Sequence, residues 1–432
     1  VEILIGATER AALEANPYKS AKVPATWIAD GDTFLVSASY RGAYSLMNLM
    51  AVPNGPRNWK VKTEKIAPYR GYREWNFNQE THIRQKLAKD LYAAANVPIQ
   101  PSRHVVLYVN GVRSGVYLEF PDPDNKEWLK ETWGSAAGDL FKAATDIPGD
   151  TAFFGELTDL GNNDSDYFLH YQKKLNKDGA DSLDYSRLRR FITWANRSSD
   201  AEFESGLAAR FDVQTFIRYL VVSNFIGFWD GYPNRGKNYW LYQNPLDSVW
   251  SFLPWDVDAT FETTASCLNN MGTSAGLFFM TWPRNYCGNT RETQERPLFE
   301  RIMAVNAWRE MYLGEYQKAM KTYLEATALL RHADSLGSLV EEDLEGLEAT
   351  TFSKSQTDIR NFITSRALFV SNLLSTYPAY GPTTSAIPRT TLPHQDRSGD
   401  WIDLRGRRIP SANTHAPPPG IYWRGTEKRV IL

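Results

Sequence analysis

The chain is short of cysteine, of patterned histidine and of unbalanced charge, and each shortage removes a class of function. Only two cysteines, Cys267 and Cys287, stand in 432 residues. Neither has a histidine near it, so the pair cannot build a zinc site alone. Lying 20 apart in a Gly/Asn/Thr-rich stretch, they suit a loop staple, with two reduced thiols as the alternative. A disulfide would place the protein outside the cytosol. The six histidines fall at 82, 104, 170, 332, 394 and 415 with no metal-ligand spacing. There is no HExxH, GxGxxG or GxxxxGK[ST], so zinc hydrolysis and the common nucleotide loops find no support. Lys+Arg 48 against Asp+Glu 50 leave a net charge of −2, and no nucleic-acid partner is expected. No apolar run approaches 18 residues, so no transmembrane segment is expected. The first residues, VEILIGATER, lack a basic head and a long apolar stretch, so no signal peptide is expected and the chain reads as a trimmed form.

What the chain does have is a globular composition, 42% apolar and 23% charged, with 14 Trp, 22 Tyr and 21 Phe. Its length allows one large domain or two packed lobes. Residues 1–75 read as strands and turns: TFLVSASYRG and NWKVKTEKI alternate apolar and polar. QETHIRQKLAKDLYAAANVP reads as an amphipathic helix over 79–96, and RHVVLYVNGVRSGVYLEF as a hairpin turning at Asn110-Gly111. FDVQTFIRYLVVSNFIGFWD is a nearly all-apolar, buried helix, and 296–374 is helical throughout. The predicted order is a β-rich region with one helix over 1–143, a helical region over 144–376, a Pro/Thr-rich linker over 377–399 and a short β tail over 400–432. The fold class is α+β.

The densest polar constellation runs from Asn224 to Asp258. A buried helix ends at Trp229-Asp230, Asn238 follows eight residues later, and one hairpin further comes Pro254-Trp255-Asp256-Val257-Asp258. Asp256 and Asp258 share a face if the segment is extended. Two carboxylates and an amide form an oxygen donor set that suits Mg²⁺ or Mn²⁺. Phosphoryl transfer needs a carboxylate by the acceptor hydroxyl, metal-holding oxygens and a lysine on the phosphates. Acids in turns also cap helices and satisfy backbone N–H groups, which is the plainer reading of the same residues. Lys60 and Lys62 on one strand, with Arg41-Gly42 after the preceding one, are either phosphate contacts or a solvated strand face.

Taken in order, these segments resemble the CotH family of spore-coat-type atypical protein kinases, from about residue 1 to 375. NWKVK is similar to the family's lysine-bearing strand and IRQKLAKDLYAAANVP to its Arg-x-Lys-Leu-Ala-Tyr-Asp-Leu helix. LYVNGVRSGVYLEF and GDLFKA have counterparts too, and Asp230…Asn238-YWLY…FLPWDVDATF resembles the family's Asp…Asn-Tyr-Tyr-Leu-Tyr…Pro-Trp-Asp-x-Asp-x-Thr-Phe.

The resemblance implies a divergent two-lobed kinase-like fold, β-rich in the N-lobe and helical in the C-lobe. It implies transfer of the ATP γ-phosphate to Ser/Thr of secreted or surface proteins, with Mg²⁺ or Mn²⁺, by a monomer at the cell surface or outside the cell. On it Asp230 sits by the acceptor hydroxyl, Asn238 and Asp256 hold metal, and Asp258 is a second carboxylate. Lys62, with Lys60 second, contacts phosphates, Arg41 and the Gly42 turn cover the nucleotide, and Glu119 lies near the adenine. The sequence departs from the pattern at Ala43-Tyr44, where the family has Asn-Ser, at Gln85, at Glu262 in place of Gly, and in the long insert 263–295. These departures keep a second reading open, a catalytically silent kinase-fold scaffold or a module that binds carbohydrate or protein. Phosphorylation of a sugar or another small hydroxyl acceptor is a third. The tail from Asp400, IDLRGRR…GIYWRGTEKRVIL, separately resembles a type IX secretion sorting module.

Overall fold

The computed structural model describes residues 1–17, 21–42, 55–80, 82–144, 153–176, 179–262 and 295–380, and the backbone of four short strands beyond 400. Cys267, Cys287 and most of the insert lie outside the described residues. The architecture is α+β, with strands first and helices later.

Seven strands form the β-rich region: β1 (Glu2–Leu4), β2 (Val23–Ala29), β3 (Asp32–Tyr40), β4 (Trp59–Thr63), β5 (Glu74–Gln79), β6 (Arg103–Val109) and β7 (Val112–Pro121). They close into a barrel in the order β1-β2-β3-β4-β5-β7-β6. All neighbours are antiparallel except β1 and β6, whose parallel pairing of Glu2 with Tyr108 shuts the barrel. Local pattern predicts the strands but not this closure, which joins segments a hundred residues apart. The interior is aromatic: Trp27 packs edge-on against Tyr69 and Phe77 at 4.6 and 5.7 Å between centroids. In β4 the alternation puts Trp59, Val61 and Thr63 inside and leaves Lys60 and Lys62 on the outer face.

Two local expectations change. Residues 1–75 are not all strand and turn, because Ala7–Ala15 forms a helix; ATERAALEA is rich in strong helix formers. The helix predicted over 79–96 begins at Arg84 and ends at Ala94. Its first residue, Gln79, belongs to β5, and the start is set by Glu80, whose carboxylate accepts from the N–H groups of Gln85 at 2.8 Å and Lys86 at 3.3 Å. The hairpin turn falls at Asn110-Gly111 as expected, with φ of 51° and 76°, the left-handed pair that a tight antiparallel turn requires.

A second sheet follows, built from β8 (Asp139–Ala143), β9 (Tyr171–Lys173), β10 (Tyr239–Gln243) and β11 (Trp250–Pro254) in the order β11-β10-β8-β9. The outer face of the barrel meets it: Leu118 and Phe120 of β7 join Leu140, Trp240, Leu253 and Trp255 in one apolar cluster. That cluster fixes how the barrel sits over the hairpin β10–β11. Behind the hairpin lies the helix Val213–Phe225, in which every residue but Gln214 and Arg218 is buried. Helices Pro297–Ala304, Asn306–Met320, Ala326–Glu341 and Leu347–Leu374 surround it. In the tail, β12 (Trp401–Asp403), β13 (Arg408–Ile409), β14 (Gly420–Arg424) and β15 (Glu427–Ile431) form a four-stranded sheet, where the sequence predicts two or three strands.

Candidate active site

The hairpin β10–β11 assembles the acidic group. Tyr239 pairs with Pro254, so the residue before β10 and the residues after β11 lie side by side. The Trp255 N–H donates to the Asn238 carbonyl at 3.0 Å. Asn238 and Asp256, the two residues flanking this register, both hold left-handed backbone, with φ of 57° and 51°. Asn and Asp tolerate that region best among residues with a Cβ, and strain of this kind concentrates where side chains must be aimed. Asn238 Nδ2 donates to Asp230 Oδ2 at 2.7 Å and to the Asp230 carbonyl at 3.1 Å. The structure therefore brings Asp230 and Asn238 into contact, with Asp256 beside them.

Asp230 sits in the turn after the buried helix and is 17% exposed at its side chain. Lys237 Nζ lies 3.1 Å from its Oδ2 and Arg235 Nη1 3.6 Å from its Oδ1. Burial raises its carboxyl above the usual range, and the two cations pull against that rise. The turn is fixed from behind by Arg296, fully buried, which donates to the carbonyls of Tyr232 at 2.9 Å and Asn234 at 2.6 Å and pairs with Glu156 at 3.1 Å. Asp258 is exposed to water at one face yet crowded by protein atoms. Desolvation, then the charges of Asp256 and Asp230, push its carboxyl well up. Asp230 Oδ1 is buried with no hydrogen-bond partner. A buried oxygen with no hydrogen bond, beside two more carboxylates and an amide oxygen, is a donor set that fits a hard divalent cation.

The barrel supplies the facing wall. Arg41, just past β3, donates to Asn78 Oδ1, and its guanidinium lies 5.6 Å from the ring centres of both Phe120 and Trp255. Burial lowers its pKa, and Asp256, Asp122 and Asp258 oppose that, so Arg41 lies within electrostatic reach of the acidic group. Gly42 follows with φ of 95° at the exposed rim. Lys60 reaches further inward than Lys62. Its ammonium lies 2.7 Å from both Asp122 Oδ2 and Glu74 Oε2, whereas Lys62, 35% exposed, pairs among the described residues with Glu74.

Glu119 is not brought together with the others. It shares a face of β7 with Tyr117, points into the barrel and pairs with Arg103. Burial raises its carboxyl, opposed by Arg103. The cleft side of β7 is held by Phe120.

Three features escape sequence reasoning. Lys237 is one; its place directly before Asn238 was the available signal. The second is the set Glu74, Asp122 and Asp124, the one trio of carboxylates among the described residues with an oxygen from each within 4.8 Å of the others. Asp230, Asp256 and Asp258 are spaced more widely. Lys60 sits against the closer trio as its countercharge. The third is the bridge made by Glu262, a residue the sequence marks only as a departure from the family pattern; it accepts from Arg84 Nη1 at 3.1 Å and Trp229 Nε1 at 3.0 Å. It ties the first turn of the helix Arg84–Ala94 to the residue before Asp230.

With that geometry in view, comparison with known proteins is direct. The CotH kinase protein family matches residues 39–370, most of the chain, and the chain belongs to that family. The inner spore coat protein H of Bacillus subtilis is 27% identical over 249 residues, 55% of this chain and 62% of that protein. The invasin CotH2 of Rhizopus delemar is 26% identical over 191 residues, 42% of this chain and 30% of that protein. The chain thus spans less than two thirds of either relative. A chain of the Shewanella oneidensis MR-1 HipA–HipB–operator DNA complex overlaps 85% of this chain and 81% of its own, at 13% identity and a TM-score of 0.29, too low to assign a fold. No helix among the described residues is long and apolar enough to cross a membrane.

Proposed function

We propose that the chain is an atypical protein kinase that transfers the γ-phosphate of ATP to a Ser or Thr hydroxyl of secreted or surface proteins. The observation that carries this is the convergence of Asp230, Asn238 and Asp256 at the open end of one hairpin, with Arg41 and the carboxylate-paired Lys60 on the barrel side. Family membership supports the reaction class, and the names of the spore coat and invasin relatives support a surface location. The regions 1–143 and 144–376 then act as the two lobes of a divergent kinase fold, with 377–399 as linker and 400–432 as a sorting module.

In this reading the acceptor hydroxyl lies against Asp230. A carboxylate whose basicity is raised by burial accepts the hydroxyl proton as the oxygen attacks the γ-phosphorus, and the bond to the β-phosphate oxygen breaks to release ADP. Lys237 and Arg235 hold Asp230 in place and favour its charged form against the effect of burial. Asn238 and Asp256, with Asp258 in support, would hold Mg²⁺ or Mn²⁺, which when bound offsets charge on the phosphates. Lys60, anchored by Asp122 and Glu74, is the better placed of the two lysines for phosphate contact. Arg41, Gly42 and the Phe120 ring line the nucleotide side of the cleft.

Asp230→Asn tests the role assignment. It keeps the shape and the Asn238 contact but removes the base. Nucleotide binding should persist while transfer from γ-labelled ATP falls by roughly 10²–10⁴-fold. Transfer at the wild-type rate would remove Asp230 from the mechanism.

A further inference from the structure

The turn end of the same hairpin carries a concavity of about 180 Å³ that the reaction above does not use. Its wall is the helix Ser186–Arg197, which contributes Arg187, Arg190, Phe191 and Trp194, and its floor includes Trp250 of β11. Arg210 closes one side. Three guanidinium groups thus surround one aromatic-floored hollow.

Their charge is only partly matched. Arg187 Nη1 lies 3.2 Å from Asp139 Oδ2, a carboxylate shared with Lys173 at 3.4 Å, and Asp184 is a second carboxylate near both cations. Arg210 donates to the Gly206 carbonyl at 3.0 Å and stacks 4.5 Å above the Trp194 ring. Among the described residues Arg190 has no hydrogen-bond or ion-pair partner. Buried Phe191 and Trp250 keep water from one side, which strengthens attraction for an incoming anion. Guanidinium forks match phosphate and carboxylate oxygens two at a time. All three arginines are exposed, so an anionic side chain can enter from solvent.

We propose that this hollow docks an anionic side chain, phosphorylated or carboxylate, of an extended protein segment. From Gln243 at the hollow to Tyr239 at the acidic group is four residues of strand, roughly 13 Å. A bound segment of about four or five extended residues spans that distance. Its use in presenting a kinase substrate rests on the reading of the preceding subsection; the anion binding itself does not.

The test uses the full chain and three labelled peptides of one sequence, with phosphoserine, glutamate or serine at the centre, read by fluorescence anisotropy. Wild type is compared with Arg190→Glu and with Arg190→Glu/Arg210→Glu. Arg190 has no partner to lose, so its variant should melt as wild type does. The phosphoserine peptide should bind wild type at least tenfold more tightly than the serine peptide, with glutamate between them. Arg190→Glu should weaken it at least tenfold, and the double variant further. Equal binding by wild type and Arg190→Glu overturns the proposal, as does equal binding of the phosphoserine and serine peptides or no peptide binding at all. Peptide binding that follows this pattern in a protein that transfers no phosphate would keep the docking site and sink the kinase reading. Transfer by a protein whose peptide binding ignores Arg190 would do the reverse.

Discussion

Lys89 gives the sharpest energetic prediction. It lies on the helix Arg84–Ala94, is 4% exposed, and has its ammonium 4.7 Å from the Phe120 ring centre and 3.5 Å from Gln100 Oε1. Burial first, then Lys86 and Arg41, bring its pKa down from 10.5 to about 7, against the pull of Asp90 and Glu80. Each tenfold in a protonation equilibrium is about 1.4 kcal/mol, so holding the charged form in the fold costs roughly 5 kcal/mol. Between about 7 and 10.5 the unfolded chain keeps a proton on Lys89 that the folded chain has released. Stability from this group therefore rises with pH across that window, and the full penalty stands below it. Lys89→Met fills similar space without the charge. Urea unfolding of both proteins from pH 6 to 10 should show the variant more stable by about 3–5 kcal/mol at pH 6. The gap should close as pH rises. A gap that stays constant with pH, or a variant less stable at pH 6, would refute the assignment of Lys89 as a buried, unmatched ammonium.

Two further substitutions test the supports of the acidic group. Arg296→Met leaves Glu156 buried without its partner and frees two carbonyls of the Asp230 turn; it should cost about 3–5 kcal/mol, read as a fall in melting temperature. Glu156→Gln in the same background should recover part of that loss. Glu262→Ala unties Arg84 from Trp229 at a half-exposed site, so the loss should be smaller, about 1–2 kcal/mol by urea denaturation. A Glu262→Ala protein as stable as wild type would mean that this bridge is a surface contact only.

The sequence is most informative where chemistry and short-range geometry coincide. Asn110-Gly111 dictates its own turn, and the helix Val213–Phe225 has too little polar surface to lie anywhere but the interior. Asp230, Asn238 and Asp256 are legible because one hairpin register brings them together. Barrel closure is not, since the pairing of Glu2 with Tyr108 leaves no local trace. Nor is the orientation of Glu119. Strand β7 is buried on both faces from Gly115 onward, so alternation in sequence does not say which side meets the cleft. Lys60 and Lys62 share a face by spacing alone; only the positions of Asp122 and Glu74 distinguish them. Lys89 reads as the polar face of an amphipathic helix until the barrel packs over it.

The central claim is that the acidic group at the hairpin end binds nucleotide with a divalent cation. Thermal unfolding of wild type and Asp256→Ala, each with ATP, with and without Mn²⁺, tests it most directly. A site filled well above its dissociation constant should add roughly 2–4 kcal/mol, a shift of several degrees. The account predicts that shift in wild type only, and only when Mn²⁺ and ATP are both present. No shift in wild type at saturating ATP and Mn²⁺, or an equal shift in Asp256→Ala, would contradict it.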